Sequence, residues 1–215
     1  MQKWPVGLMI AGLACVGPRV QTTLPRRFAV EPPEWLLAEA EVPPPTVPNA
    51  LYLGKFKTTY YWVVEEDDYP TGRSVPIYDT HGELVGRFPR GFVDAFKIEA
   101  AARLRDGRCL SYMKKADRAL VGDHFLGFGG HTLVELKSVA VDPRVVPIGA
   151  RLYIPQAERV VCNGRPHNGI FYAHDIGSAV QGKHIDIFAG SRGNVEAFTS
   201  AGMRSLGSVD VYILE

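Results

Sequence analysis

An excess of charge of either sign is missing from this 215-residue chain: 24 Lys and Arg stand against 23 Asp and Glu, a net charge of +1. No global field therefore draws nucleic acid or acidic lipid, and no nucleic-acid partner is expected. Cysteine is scarce, at three residues: Cys15, Cys109 and Cys162. They lack metal-ligand spacing, and His174 and His184 share no ligand-spaced element, so neither a metal nor another cofactor is expected. No window carries a long helical repeat of apolar positions, and there is no internal repeat. No glycine-rich phosphate loop runs from a strand into a helix, since Gly127, Gly129 and Gly130 fall in a polar segment.

Glycine and proline, by contrast, are plentiful, at 22 and 16 residues, which favours a loop-rich β architecture. Lys3 precedes an apolar run, Pro5 to Val16, too short to span a bilayer but built like an export signal. Gly12-Leu13-Ala14-Cys15 matches a lipoprotein cleavage site except at Gly12, making Cys15 a lipidation candidate. Ordinary secretion, an uncleaved anchor and a cytoplasmic location stay open alternatives. If Cys15 leaves or carries lipid, Cys109 and Cys162 either pair in an oxidising compartment or remain core thiols. The organisation expected is an export segment over residues 1–19, a proline-rich linker over 20–50 and a folded domain over 51–215.

Within that domain, GKFKTTYYWVVEE (Gly54 to Glu66) is the strongest strand signal. Ser74 to Tyr78 and Leu84 to Phe88 read as a hairpin, Gly91 to Glu99 as a brief helix. Ala101 to Arg105 and Arg108 to Met113 flank an Asp-Gly turn. Lys114 to Gly130 reads as a polar surface insertion and Gln156 to Asn168 as a loop. Strands are expected over Leu136 to Val141 and Ala150 to Ile154, a helix over Asn194 to Met203 and a final strand over Ser208 to Leu214.

The chemistry concentrates in HDIGSAVQGKHIDIFAG, His174 to Gly190. Asp175 and Asp186 sit on or at the end of strands joined by a small-residue loop. An Asp between two isoleucines on a strand is unfavourable by propensity and by desolvation, so it calls for a reason. A structural reason is available for each: Asp175 can cap the Gly-Ser turn, and Asp186 can pair with Lys183, Arg192 or Arg204.

Three segments carry a family resemblance: SVAVDPRVVPIGARLYIP (Ser138 to Pro155), YAHDIGSAVQGKHIDIFAG (Tyr172 to Gly190) and VDVYIL near the C-terminus. Together they resemble the three-aspartate (Asp-Asp-Asp, or 3D) domain. That domain is related to the catalytic part of membrane-bound lytic transglycosylase A and to muralytic stationary-phase-survival proteins. The resemblance covers about the last eighty residues, and KTTYYW (Lys57 to Trp62) is similar to the family's groove strand. It implies a mainly β fold: a six-stranded double-psi β-barrel with one or two short helices, behind a disordered or extended N-terminal segment. It implies Asp186 as catalytic acid, Asp175 and Asp142 as supporting aspartates, and Thr59 and Tyr61 near a sugar groove. Gly177 and Ser178 belong to the loop that would meet substrate. The family loop often reads Gly-Gly-Ala-Ile-Lys-Gly; here Gln181 stands at the lysine position, and Lys183 is the candidate replacement.

The implied activity is cleavage of the MurNAc-GlcNAc β-1,4 bond of peptidoglycan in an exported, periplasmic or outer-membrane setting. Asp186 would protonate the leaving oxygen, and the muramic C6 hydroxyl would then attack to give a 1,6-anhydro end. Holding that proton near neutral pH requires a raised pKa. Because Ile185 and Ile187 face away from Asp186 on a strand, the desolvation is expected from the other barrel strands. Two rival functions fit the same residues: a non-catalytic, expansin-like glycan-binding barrel, and an inverting hydrolase that pairs Asp186 with Asp175.

Overall fold

The structure is a computed structural model and describes residues 49–69, 72 and 74–215. The export segment, nearly all of the linker and Cys15 lie outside the described residues. In chain order the elements are β1 (Ala50–Trp62), β2 (Val64–Glu65), β3 (Ser74–Tyr78), β4 (Leu84–Pro89), α1 (Arg90–Glu99), β5 (Ala101–Arg103), β6 (Cys109–Met113) and β7 (Arg118–Gly122). There follow β8 (Ser138–Val141), β9 (Arg151–Tyr153), β10 (Val161–Cys162), β11 (Arg165–Pro166), β12 (Ile170–Asp175), β13 (His184–Gly190), α2 (Asn194–Ser200) and β14 (Ser208–Leu214).

Six strands close into a barrel in the order β1-β13-β8-β12-β9-β14. The β1–β13 and β8–β12 pairs run parallel, and the remaining pairs antiparallel. Alternation along β1 shows why the strand forms: Phe56, Thr58 and Tyr60 turn inward while Lys55, Lys57 and Thr59 turn out. Phe56, Val139, Val141, Leu152, Phe171, Ile185 and Ile187 fill the interior, and Phe198 of α2 and Met203 just beyond it pack against them.

The chain between the first and second barrel strands does not join the barrel. Residues 64–122 supply a four-stranded sheet, β2-β5-β6-β7, and the separate β3–β4 hairpin. Helix α1 packs there through Phe92, Val93 and Phe96, around a core that includes Phe88, Leu104 and Leu110. A third apolar cluster joins the outer face of the barrel (Tyr61, Ala140, Phe188) to the second sheet (Ala101, Cys109) and to Phe125, Leu133 and Val180 from loops.

Two segments expected to be loops carry structure. Lys114 to Gly130 contains β7, whose Ala119 is fully buried, and Phe125 of the third cluster. Pairing with β6 overrides the polar composition of this segment. Gln156 to Asn168 contains the two-residue strands β10 and β11, returning through Asn163-Gly164, both at positive φ (52° and 72°). Of the two readings left open for Cys109 and Cys162, the structure has the second: both are free thiols. Cys109 is buried in the third cluster, whereas Cys162 packs on the barrel core, so different parts of the fold hold them.

Candidate functional site

Four adjacent barrel strands place one row of side chains across the outer face of the sheet. Asp186 on β13 is in register with Thr59 on β1 and with Ala140 on β8. On the far side of Ala140, β12 brings in Asp175. That last match depends on a β-bulge. Tyr172 and Ala173 pair with Ser138 and Val139, and the register then skips His174 so that Asp175 meets Ala140. Without the extra residue Asp175 would pair with Val141 and point into the apolar barrel. The bulge thus puts both carboxylates on one face, with only a methyl group between them.

The row faces outward from the barrel. Ile185 and Ile187 fill the interior, and Asp186 lies on the same face of β13 as Phe188 of the third cluster. Burial pushes the Asp186 carboxyl up to about 6, and the nearby Asp175 adds to the rise. A hydrogen bond from Thr59 and the charge of Lys57 work in the opposite direction. Thr59 Oγ1 donates to Asp186 Oδ1 at 2.6 Å and also contacts His184 Nε2 at 2.8 Å.

Asp175 is also raised by burial, but its oxygens are already engaged. Oδ1 accepts the backbone N–H groups of Ile176 (2.9 Å) and Phe128 (3.1 Å), and Oδ2 accepts the Tyr61 hydroxyl (3.2 Å). Tyr61 is therefore a buried support for Asp175. Its phenol is pushed well above 10, first by burial and then by the charges of Asp175 and Asp186.

Asp142 sits apart from the row. It accepts from the Arg144 backbone and guanidinium and from the Gly182 N–H at 2.7 Å. These bonds hold its carboxyl far below the usual range and tie down the loop between β12 and β13. Within that loop, Gly177 packs against Val180 and Ser178 accepts from Lys114 at 2.9 Å. The Lys183 ammonium lies over Gly54, five residues along β1 from Thr59, roughly 16 Å at the rise of a strand. The cation that Asp186 senses is Lys57.

Sequence reasoning missed four contributors. Lys57 and His184 were legible in principle, because each lies two residues from a member of the row on the same strand face. Glu99, at the end of α1, accepts the Trp62 N–H at 3.2 Å; burial and the charge of Asp186 raise its carboxyl. A cleft of about 510 Å³ opens beside it, lined by Trp62, Tyr69, Glu99 and Arg192 among others. The Phe128 N–H had no signal at all, because a backbone donor leaves no mark in composition. It reaches Asp175 because Gly127 passes so close that a Cβ there would lie 2.4 Å from the His174 carbonyl oxygen. Among the described residues, no group of three His, Cys, Asp or Glu side chains is placed to hold a metal ion.

Comparison with known proteins matches the model of the 3D domain family to residues 137–215. These residues form a 3D domain. It supplies five of the six barrel strands and all three aspartates, while β1, with Thr59 and Tyr61, lies outside the match. No curated protein matches the chain. Among solved structures, E. coli MltA with bound chitohexaose is 15% identical, with a TM-score of 0.51 over 75% of this chain and 72% of that one. At that identity the likeness is one of fold, and it extends beyond the 3D domain. A membrane-bound lytic murein transglycosylase from Agrobacterium tumefaciens is 18% identical, with a TM-score of 0.46 over 77% and 76% of the two chains.

Proposed function

We propose that this protein is a lytic transglycosylase that cleaves the MurNAc-GlcNAc β-1,4 bond of peptidoglycan, with Asp186 as its single acid/base. The observation that carries the reading is the Asp186 carboxyl, pushed up to about 6 and set in register with Thr59 and, across Ala140, with Asp175. A carboxyl in this range keeps its proton in mildly acidic surroundings and can also take one back. In the first half of the reaction, Asp186 gives its proton to the glycosidic oxygen as the C1–O bond breaks. In the second half, the muramic O6 bonds to C1 and its proton returns to Asp186, so no water is consumed. Asp175, whose carboxylate form accepts three hydrogen bonds, favours positive charge at C1 when ionised. Phe128 is 49% exposed beside it and offers an apolar platform for a sugar ring.

Support for the substrate class comes from the 3D domain and from the fold shared with an MltA structure that holds chitohexaose, itself a β-1,4-linked amino-sugar chain. We read the barrel as the double-psi type on its two parallel pairs set among antiparallel ones, and the chain as exported, with Cys15 as a lipid-anchor candidate.

One observation favours a hydrolase instead. Asp186 and Asp175 stand two strands apart, roughly 9.6 Å between backbones, room enough for a water between carboxyls. Against it, both Asp175 oxygens already accept hydrogen bonds, which leaves a poor base. Digestion of purified sacculi separates the two: the lytic route gives anhydro ends about 18 mass units lighter than the reducing ends of hydrolysis. Asp186→Asn should release nothing while remaining folded; release at the wild-type rate would end the assignment.

A further inference from the structure

Thr59 has one hydroxyl proton and two partners, and that count constrains the whole site. Its Oγ1 lies 2.6 Å from Asp186 Oδ1 and 2.8 Å from His184 Nε2. When Asp186 is ionised the proton goes to its carboxylate, and the bond to His184 then requires Nε2 to donate; the reverse relay, from a neutral Asp186 through Thr59 to an unprotonated Nε2, is the arrangement this excludes. We infer that His184 is a positioning residue for the proposed reaction: its Nε2–H locks the Thr59 hydroxyl onto Asp186 Oδ1 and thereby keeps the transferable proton on Oδ2.

The chemistry follows from the bonding. As long as Nε2 carries its proton, Oδ1 accepts from Thr59 whether Asp186 is neutral or charged, and the acid's own proton is confined to the other oxygen. Take away the donor at position 184 and Thr59 can rotate. The neutral acid then gains a second arrangement, Oδ1–H donating to Thr59, in which the proton points away from any substrate. That arrangement stabilises only the neutral form, so it raises the Asp186 midpoint and lowers the productive fraction at the same time. His184 is suited to the task because it is 6% exposed and its backbone belongs to the same strand as Asp186. Lys57, Asp175, Tyr61 and Glu99 are the other ionisable groups that act on this pair.

The inference rests on the transglycosylase reading, yet two of its tests do not need activity. In nitrogen-15 spectra of the full chain, the His184 Nε2 should carry a proton. A carbon-13 titration should place the Asp186 midpoint higher in His184→Leu than in wild type, and near the wild-type value in His184→Gln, whose side-chain amide can still donate. Thr59→Val should raise the midpoint as His184→Leu does, and adding His184→Leu to it should change nothing more, because the histidine acts only through Thr59. On sacculi, His184→Leu should lose about tenfold or more in kcat with KM little changed, the scale of one hydrogen bond to a charged group, and His184→Gln should recover most of the loss. An unprotonated Nε2, or a folded Leu variant with the wild-type midpoint, overturns the inference. Wild-type protein that cleaves no glycan would overturn the transglycosylase reading while leaving the spectroscopic results to decide this one.

Discussion

A carboxyl kept neutral by burial has a cost that depends on pH, and Asp186 makes that cost measurable. Below pH 4 it is protonated both folded and unfolded, and burial is nearly free. Between pH 4 and 6 the unfolded chain ionises while the folded one does not, so folding loses stability; above about 6 the full penalty is in place. A rise from 3.8 to about 6 corresponds to at most about 3 kcal/mol. Asp186→Asn should therefore be more stable than wild type at pH 7.5, by about 1–3 kcal/mol, and no more stable at pH 3.5. Denaturant unfolding at the two pH values reads this directly; equal differences at both would mean that Asp186 is not the strained group. Activity should fall as pH rises through about 6, as the acid loses its proton.

Elements, more than single side chains, decide where the acids point. Three devices aim them: the bulge at His174, the loop tied by Asp142 and the turn carrying Phe128. Gly127→Ala tests the last of these. The added methyl would meet the His174 carbonyl oxygen at 2.4 Å, so the turn must withdraw and take the Phe128 N–H off Asp175. The expected result is a higher Asp175 midpoint and a loss of activity with little change in global stability; a carbon-13 titration and a sacculus assay check it. For the loop, Asp142→Ala should leave the Gly182 amide unprotected in hydrogen exchange and lower activity, with Asp142→Asn in between. Strand positions, by contrast, were largely readable from sequence. Gly54 to Glu66 is dense in Thr, Tyr, Trp and Val, His184 to Ile187 alternates, and Asp106-Gly107 marks its hairpin. Composition could not reveal that one extra residue re-phases β12, because a bulge keeps the residues and changes only their partners.

The described residues form two main cores, and the acids lie on the barrel face that carries the cluster between them. Sequence pattern suggested a single barrel because the short strands of residues 64–122 look like those that close it. Nothing local tells a strand which sheet it will join. The arrangement predicts that damage to each core reads out differently. Phe96→Ala, in the second core, should destabilise by about 3–5 kcal/mol yet leave activity per folded molecule intact. Phe188→Ala, in the joining cluster, should cost a similar amount and also reduce activity, because it uncovers the face that holds Asp186. Unfolding curves paired with specific activity distinguish the two.

A fragment starting at Lys137 would hold every aspartate of the site and five strands of the barrel, but β13 and β14 would be left as raw sheet margins with backbone donors and acceptors exposed. Such a fragment would stick to its own kind until something healed the gap. A synthetic peptide covering residues 50–62 is the natural complement: added in trans, it would restore closure and the Thr59 hydroxyl in one event.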